Sequence, residues 1–202
     1  MDWNDTPEQA AFRTEVAEFI KAKMPKRYQM DADGFSPGND YFSDRKSADP
    51  AVTGAAKEWA DALGSKGWVA PQWPKEYGGA GLSPFEQFIY NMEMTKAGAM
   101  GIGGSGVGML GPMLMVHGTE EQKKQHISKI LSGEVVWAQG YSEPGSGSDL
   151  ASLQTRAVRD GDEYVVNGQK IWTSGAHNAD WLFVLVRTDP DAPKHRGISF
   201  VL

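Results

Sequence analysis

The sequence predicts an α+β protein, with an N-terminal all-α helical domain over residues 1–133 and an antiparallel β-sheet or barrel domain over residues 134–202. Three observations carry this. A Ser or Thr followed three residues later by Glu or Gln, the signature of a helix start, recurs up to Gly133. Beyond Gly133 the apolar period changes from helical to alternating. Asp160-Gly161 and Asn167-Gly168 then stand between alternating segments, where hairpin turns belong.

Each element follows in order. Thr6 caps the first helix, Pro7 suits its first turn, Gln9 completes the capping box, and Phe12, Val16, Phe19 and Ile20 recur at helical spacing. A polar stretch from Pro25 to Pro50 follows, long enough to be either functional or disordered. A helical piece surrounds Trp59 and Leu63. Ser83-Pro84-Phe85-Glu86 opens a further helix that Gly98 ends, and Thr119-Glu120-Glu121-Gln122 opens one carrying Ile127, Ile130 and Leu131 and closed by Gly133. The strands are VVWAQGYS, LQTRAVR, EYVVN, QKIWTS, WLFVLVR and GISFVL, short and rich in β-branched and aromatic residues. Strands and helices do not alternate, which argues against a doubly wound nucleotide-binding fold.

Composition narrows the function classes. With 26 acidic against 20 basic residues and no cluster of cations, a nucleic-acid partner is not expected. No run reaches the ~20 apolar residues of a membrane span, and MDWNDTPEQ lacks the features of a signal peptide, so a cytoplasmic protein without a membrane partner is expected. The absence of cysteine excludes disulfides, thiolate metal sites and thiol nucleophiles. His117, His126, His177 and His195 show no metal spacing and are expected at the surface or an interface, and no Gly-x-Ser-x-Gly elbow is present.

Four motifs remain. GIGGSGVGMLG, residues 101–111, matches the dinucleotide fingerprint twice, but a helix tail rather than a strand precedes it, so glycines serving close helix packing are the better reading. YSEPGSGSDL, residues 141–150, is either a tight connection or a ligand loop in which Gly145 and Gly147 admit close approach. Glu143 within it is either a general base or, more in keeping with a carboxylate before proline, an acceptor for local amides. KIWTSGAH, residues 170–177, sets the Trp172 indole beside the Thr173 and Ser174 hydroxyls; Trp172 is either core or one wall of a site for a flat aromatic group such as a flavin.

With these residues in view, the chain resembles the N-terminal part of an acyl-CoA dehydrogenase. PQWPKEYGGAGLS, HGTEEQKKQHISKILSGE, YSEPGSGSDLASLQTRAVRDGDEYVVNGQKIWTSG and WLFVLVRTD carry the resemblance over about residues 55–202, in the family's order. The first 50 residues match only loosely. The resemblance implies that the loop from Gln139 to Ser148, including Tyr141, Ser142 and Gly147, contacts FAD. Ser142 stands where the family usually has Thr, and Ser148 also touches the thioester substrate. The same resemblance implies that Trp172 lies against the isoalloxazine, flanked by Thr173, and that Ser174 offers its hydroxyl to N5. The implied reaction is α,β-dehydrogenation of an acyl-CoA, with hydride passing to N5 and electrons to an electron-transfer flavoprotein. Oxygen-using relatives of the fold, an acyl-CoA oxidase or a flavin monooxygenase, are alternatives, as is a non-catalytic subunit of a heteromeric dehydrogenase. The wording around Gln139 and Tyr141 resembles bacterial members acting on dicarboxylic or steroid side-chain thioesters. The resemblance further implies a truncated β-domain, a catalytic glutamate beyond Leu202, and a homo- or hetero-tetramer in the complete protein. On that expectation the 202 residues alone are a poor enzyme.

Overall fold

The computed structural model describes residues 4–30 and 40–202. Part of the polar stretch expected between Pro25 and Pro50, residues 31–39, lies outside the described residues. The chain forms two compact units that meet in sequence at Glu134 and Val135.

In the first unit the local start signals become helices. Helix α1 (Pro7–Lys23) has the expected box: Gln9 N–H donates to Thr6 Oγ1, and Gln9 Oε1 accepts from Thr6 N–H at 2.8 Å. Helix α2 (Tyr41–Asp44) is capped by Asp40, whose carboxylate accepts from the N–H groups of Phe42 and Ser43. Asp49 caps α3 (Pro50–Ser65), Ser83 and Glu86 box α4 (Pro84–Lys96), α5 spans Gly111–His117, and Thr119 and Gln122 box α6 (Glu120–Leu131). Such caps satisfy N–H groups that a helix start would otherwise orphan, typically ~1 kcal/mol each.

The core of this unit is aromatic. Phe19 of α1 packs on Trp59 of α3 and on Trp68, with ring centroids 6.2 and 4.7 Å away. Buried Trp and Tyr need partners for their polar tips. Trp59 Nε1 donates to Met100 O at 2.9 Å, Trp73 Nε1 to Val107 O at 3.1 Å, and the Tyr90 hydroxyl to Trp68 O at 3.1 Å. Across α1 and α4, Arg13 pairs with Glu93 at 2.8 Å.

Three features of this unit bear on what the sequence led us to expect. The polar stretch contains α2 and a 3₁₀ turn at Lys26–Tyr28, joined by an Arg27–Asp44 ion pair, with Tyr28 and Tyr41 buried. His126 is buried in α6 rather than at the surface, because its face of the helix also carries Ile127 and Ile130 into the core. The glycine-rich segment runs as a π-helical turn at Gly106–Leu110 straight into α5. There the close-packing reading holds: a Cβ on Gly111 would stand 2.0 Å from the ring of buried Trp73.

The second unit is a five-stranded sheet of β1 (Trp137–Gly140), β2 (Arg156–Asp160), β3 (Glu163–Asn167), β4 (Trp181–Arg187) and β5 (Ile198–Val201). The order is β1-β4-β2-β3, with β5 also on β4. The helical-then-β architecture is as predicted, but the pairing is mixed rather than antiparallel throughout. β1 and β4 are parallel, and β2 meets β4 in parallel at Arg156 and Arg187, whereas β2–β3 and β4–β5 are antiparallel. Long connections permit this; only neighbours joined by short turns are forced antiparallel. Asp160-Gly161 makes the predicted hairpin, with Asp160 opposite Glu163 and Gly161 at φ +62°. Asn167-Gly168 does not. Gly168 instead packs against Thr155, where a Cβ would lie 2.3 Å from Oγ1, and QKIWTS continues as irregular chain rather than a strand.

Alternation along β4 sorts its two faces. Val184 and Val186 pack with Ala157 and Val201 on one side. On the other, Trp181 meets Trp137 at 5.2 Å, and Phe183 meets Tyr141 at 5.9 Å and Phe200 at 5.5 Å. The aromatic row ends at Tyr141, where the first candidate loop begins.

Candidate cofactor-binding site

Gln139 lies in β1, half-buried opposite Phe183, and Tyr141 follows on the same face. The chain then turns sharply. Glu143 and Ser146 exchange backbone hydrogen bonds of 2.8 and 3.0 Å, and the buried Ser146 hydroxyl turns inward to Asp149 O and Leu150 O. Glu143 is also buried. Its carboxylate accepts from Gln154 N at 2.6 Å, Thr155 N at 2.9 Å and Lys170 Nζ at 2.8 Å.

Burial alone would raise the Glu143 pKa, but the Lys170 ammonium and the backbone N–H groups of Gln154 and Thr155 outweigh it and lower it to about 2. So weak a base cannot abstract a proton effectively near neutral pH. The local-acceptor reading of Glu143 therefore holds. The other carboxylate of this loop, Asp149, pairs with Lys194.

What the loop leaves open is different in kind. Pro144, Gly145, Gly147 and Ser148 are exposed. A Cβ on Gly145 or Gly147 would touch nothing within 4 Å, and neither glycine has a positive φ. Neither conformation nor internal packing requires glycine there, and the result is open backbone.

The second loop is tied to the first. Lys170 Nζ also donates to Tyr141 O at 3.0 Å, and Ile171 N–H donates to Ser142 O at 2.9 Å. The next residue, Trp172, has φ +58°, the one positive value among the described non-glycine residues, and its side chain is 85% exposed. Trp172 is thus neither core nor the end of a strand. Left-handed backbone costs a residue with a Cβ ~1–2 kcal/mol, so it persists only where its surroundings impose it. After it, Ser174 N–H donates to Trp172 O and Ala176 N–H to Thr173 O, closing a turn through Gly175 at φ +73°. The hydroxyls of Ser142, Ser148, Thr173 and Ser174 bond to no other described residue.

The structure therefore brings Tyr141 and Ser142 against the segment carrying Trp172, Thr173 and Ser174. Gly147 and Ser148 lie further along the first loop and are exposed. Sequence reasoning missed Lys170, together with Gln154 and Thr155. The signal available was a lysine in NGQKIWTS that could answer the glutamate of YSEPG. Among the described residues, no group of three His, Asp or Glu side chains is placed to hold a metal ion, and no helix is long and apolar enough to cross a membrane.

An exposed indole held at a fixed backbone angle, unengaged hydroxyls beside it and open glycine backbone nearby fit a planar group edged with acceptors. The flavin ring of FAD has that form, and the residues present accommodate it.

Residues 6–134 match the acyl-CoA dehydrogenase N-terminal domain, and residues 138–202 match the acyl-CoA dehydrogenase middle domain. The acyl-CoA dehydrogenase FadE29 of Mycobacterium tuberculosis is 39% identical over 98% of this chain and 47% of its own length. A solved structure, the Tcur3481-Tcur3483 steroid ACAD, superposes with a TM-score of 0.76 at 42% identity, covering 100% of this chain and 48% of that one. The ChsE4-ChsE5 complex from Mycobacterium tuberculosis matches with a TM-score of 0.76 at 40% identity, over 99% of this chain and 47% of its counterpart. The chain spans about half the length of the relatives it matches. It belongs to the acyl-CoA dehydrogenase family.

Proposed function

We propose that this chain carries part of the flavin and substrate site of an FAD-dependent acyl-CoA dehydrogenase, and that the loops at 139–148 and 170–174 form the flavin-facing surface. The observation that supports this most is Trp172, exposed and held in a left-handed conformation beside unengaged hydroxyls. A strained, exposed aromatic residue has no packing role of its own. In this reading the indole supports the ring, worth ~0.5–1.5 kcal/mol beyond area burial. Ser142 and Thr173 address the ring edge, Gly147 opens backbone toward it, and Gln139 and Tyr141 shape the floor. Ser174 donates toward N5, and Ser148 contacts both cofactor and thioester. When bound, FAD supplies the acceptor for the β-hydride of the acyl group. In this reading the α-proton goes to a carboxylate other than Glu143, which is buried against Lys170 and two backbone amides. An electron-transfer flavoprotein as acceptor and a tetrameric assembly belong to the same proposal.

The favoured substrate class is the thioester of a steroid side chain. What supports it is the 42% identity, over the whole chain, to a protein described as a steroid ACAD. A probable medium-chain dehydrogenase of Caenorhabditis briggsae shares 34% over 67% of the chain. A substrate screen of the full-length protein tests this: preference for short straight-chain thioesters sinks it. A second reading, a non-catalytic subunit of a heteromer, draws on the absence of an available base in the two loops and on the two-component names of both structural relatives. Reduction of bound flavin by acyl-CoA in the protein without a second gene product would exclude that reading.

A further inference from the structure

We propose that the buried Glu143–Lys170 pair is a positioning device that sets the two loops against each other and holds Trp172 in its left-handed conformation. This rests on the flavin reading of those loops. Three segments meet at the pair. Glu143 uses Oε2 for Gln154 N and Oε1 for both Thr155 N and Lys170 Nζ, while Lys170 reaches back to Tyr141 O. The segment carrying Lys170 belongs to no strand, so no ladder fixes it. Its attachments to the first loop are the two bonds from Lys170 and the bond from Ile171 N to Ser142 O. Trp172 is the next residue. Backbone held uphill in φ requires flanks that over-determine it, and here the ion pair lies upstream and the Gly175 turn downstream.

The pair's burial points the same way. Side-chain exposure is 10% for Lys170 and 7% for Glu143. Desolvating two charges offsets much of their attraction, so the pair as a whole adds little over apolar residues of the same size, whereas removing one partner leaves the other charge buried and unanswered. The exposed Lys194–Asp149 pair of the same unit provides a contrast, since solvent can replace either partner.

The test measures FAD dissociation constants by fluorescence titration in the full-length protein, with visible circular dichroism of the bound flavin as a second readout. Glu143→Gln and Lys170→Met are each expected to raise the constant about tenfold and to alter the dichroism. The double variant should be no worse than the weaker single, because the residues act as one unit. Lys170→Arg, which keeps the charge, should restore most of the affinity. Val186→Ala, a cavity in the unit's core away from the loops, controls for lost stability and should leave the constant within about twofold. Folded Glu143→Gln and Lys170→Met proteins that bind FAD normally overturn the positioning role. Should Glu143→Gln fail to fold, Lys170→Met decides alone. Trp172→Ala separates the two claims: if it weakens FAD binding while the pair variants do not, only the positioning role fails. If none of the three changes binding, the flavin reading fails as well.

Discussion

Acid should destabilise the β unit through one residue, Glu143. Its carboxyl falls from an ordinary 4.5 to about 2, because Lys170 and the Gln154 and Thr155 amides outweigh burial. A depressed folded-state pKa contributes stability that is complete above the unfolded value, near 4.5, and is lost as the pH falls toward 2. At roughly 1.4 kcal/mol per tenfold change in protonation equilibrium, the full contribution is about 3 kcal/mol, of which about 2 kcal/mol is gone by pH 3. Urea unfolding of the wild type and Glu143→Gln from pH 7 to pH 3, followed by a signal from the β unit, measures it. The variant should start about 3 kcal/mol lower at pH 7 and the gap should close by about 2 kcal/mol at pH 3. Other carboxylates contribute to the acid limb of both proteins. Asp44 is held low by Arg27, and Glu93 is lowered because Lys96 and Arg13 outweigh its burial. The difference between the two proteins removes those contributions. A gap that stays constant between pH 7 and pH 3 would refute the reasoning and make the ion pair energetically idle.

Gly111→Ala should destabilise the helical unit by ~1–3 kcal/mol, because the new methyl meets the buried Trp73 ring and α5 must shift. Differential scanning calorimetry should show its transition several degrees lower, at ~2–4 °C per kcal/mol, and an unchanged transition contradicts the close approach. At position 172, Gly should give a more stable protein than Ala by about 0.5–1 kcal/mol, since Ala keeps the Cβ penalty of φ +58° and Gly removes it at some entropic cost. Equal urea midpoints for the two variants remove the strain argument. Ser174→Ala should slow single-turnover flavin reduction about tenfold or more while leaving acyl-CoA affinity within about twofold, as expected for a hydrogen bond that strengthens while charge develops. Equal reduction rates would remove that role.

Local chemistry was legible in the sequence, and non-local chemistry was not. Thr6, Ser83 and Thr119 announce their helices because a capping box lies wholly within four residues. Asp160-Gly161 announces its hairpin for the same reason. Asn167-Gly168 carries the same two-letter signal for a different purpose: Gly168 is small because Thr155 occupies the space a Cβ would need. No local pattern distinguishes these two uses of glycine. The parallel pairing of β1 with β4 depends on what happens between Gly140 and Trp181, which alternation along either strand does not record. Helix α5 was hidden by the glycines and proline around it, and it is stabilised by contact with Trp73 rather than by propensity.

The candidate site shows the same division. The two loops stood out through composition, and the buried roles of Glu143 and Ser146 could be read only once the turn that aims them inward was known. Lys170 could be found only by pairing it with the glutamate of YSEPG, because a lysine in a polar stretch ordinarily faces solvent. The left-handed backbone of Trp172 is likewise invisible in sequence, since aromatic residues rarely adopt it.

The most direct test of the account is an FAD titration of the full-length protein and its Trp172→Ala variant. The far-ultraviolet circular dichroism should be the same for both, because an 85% exposed side chain contributes little to folding. The dissociation constant should rise about threefold to tenfold in the variant, corresponding to the ~0.5–1.5 kcal/mol of lost stacking. A folded Trp172→Ala protein that retains FAD as tightly as the wild type would contradict the assignment of these two loops as the flavin-facing surface.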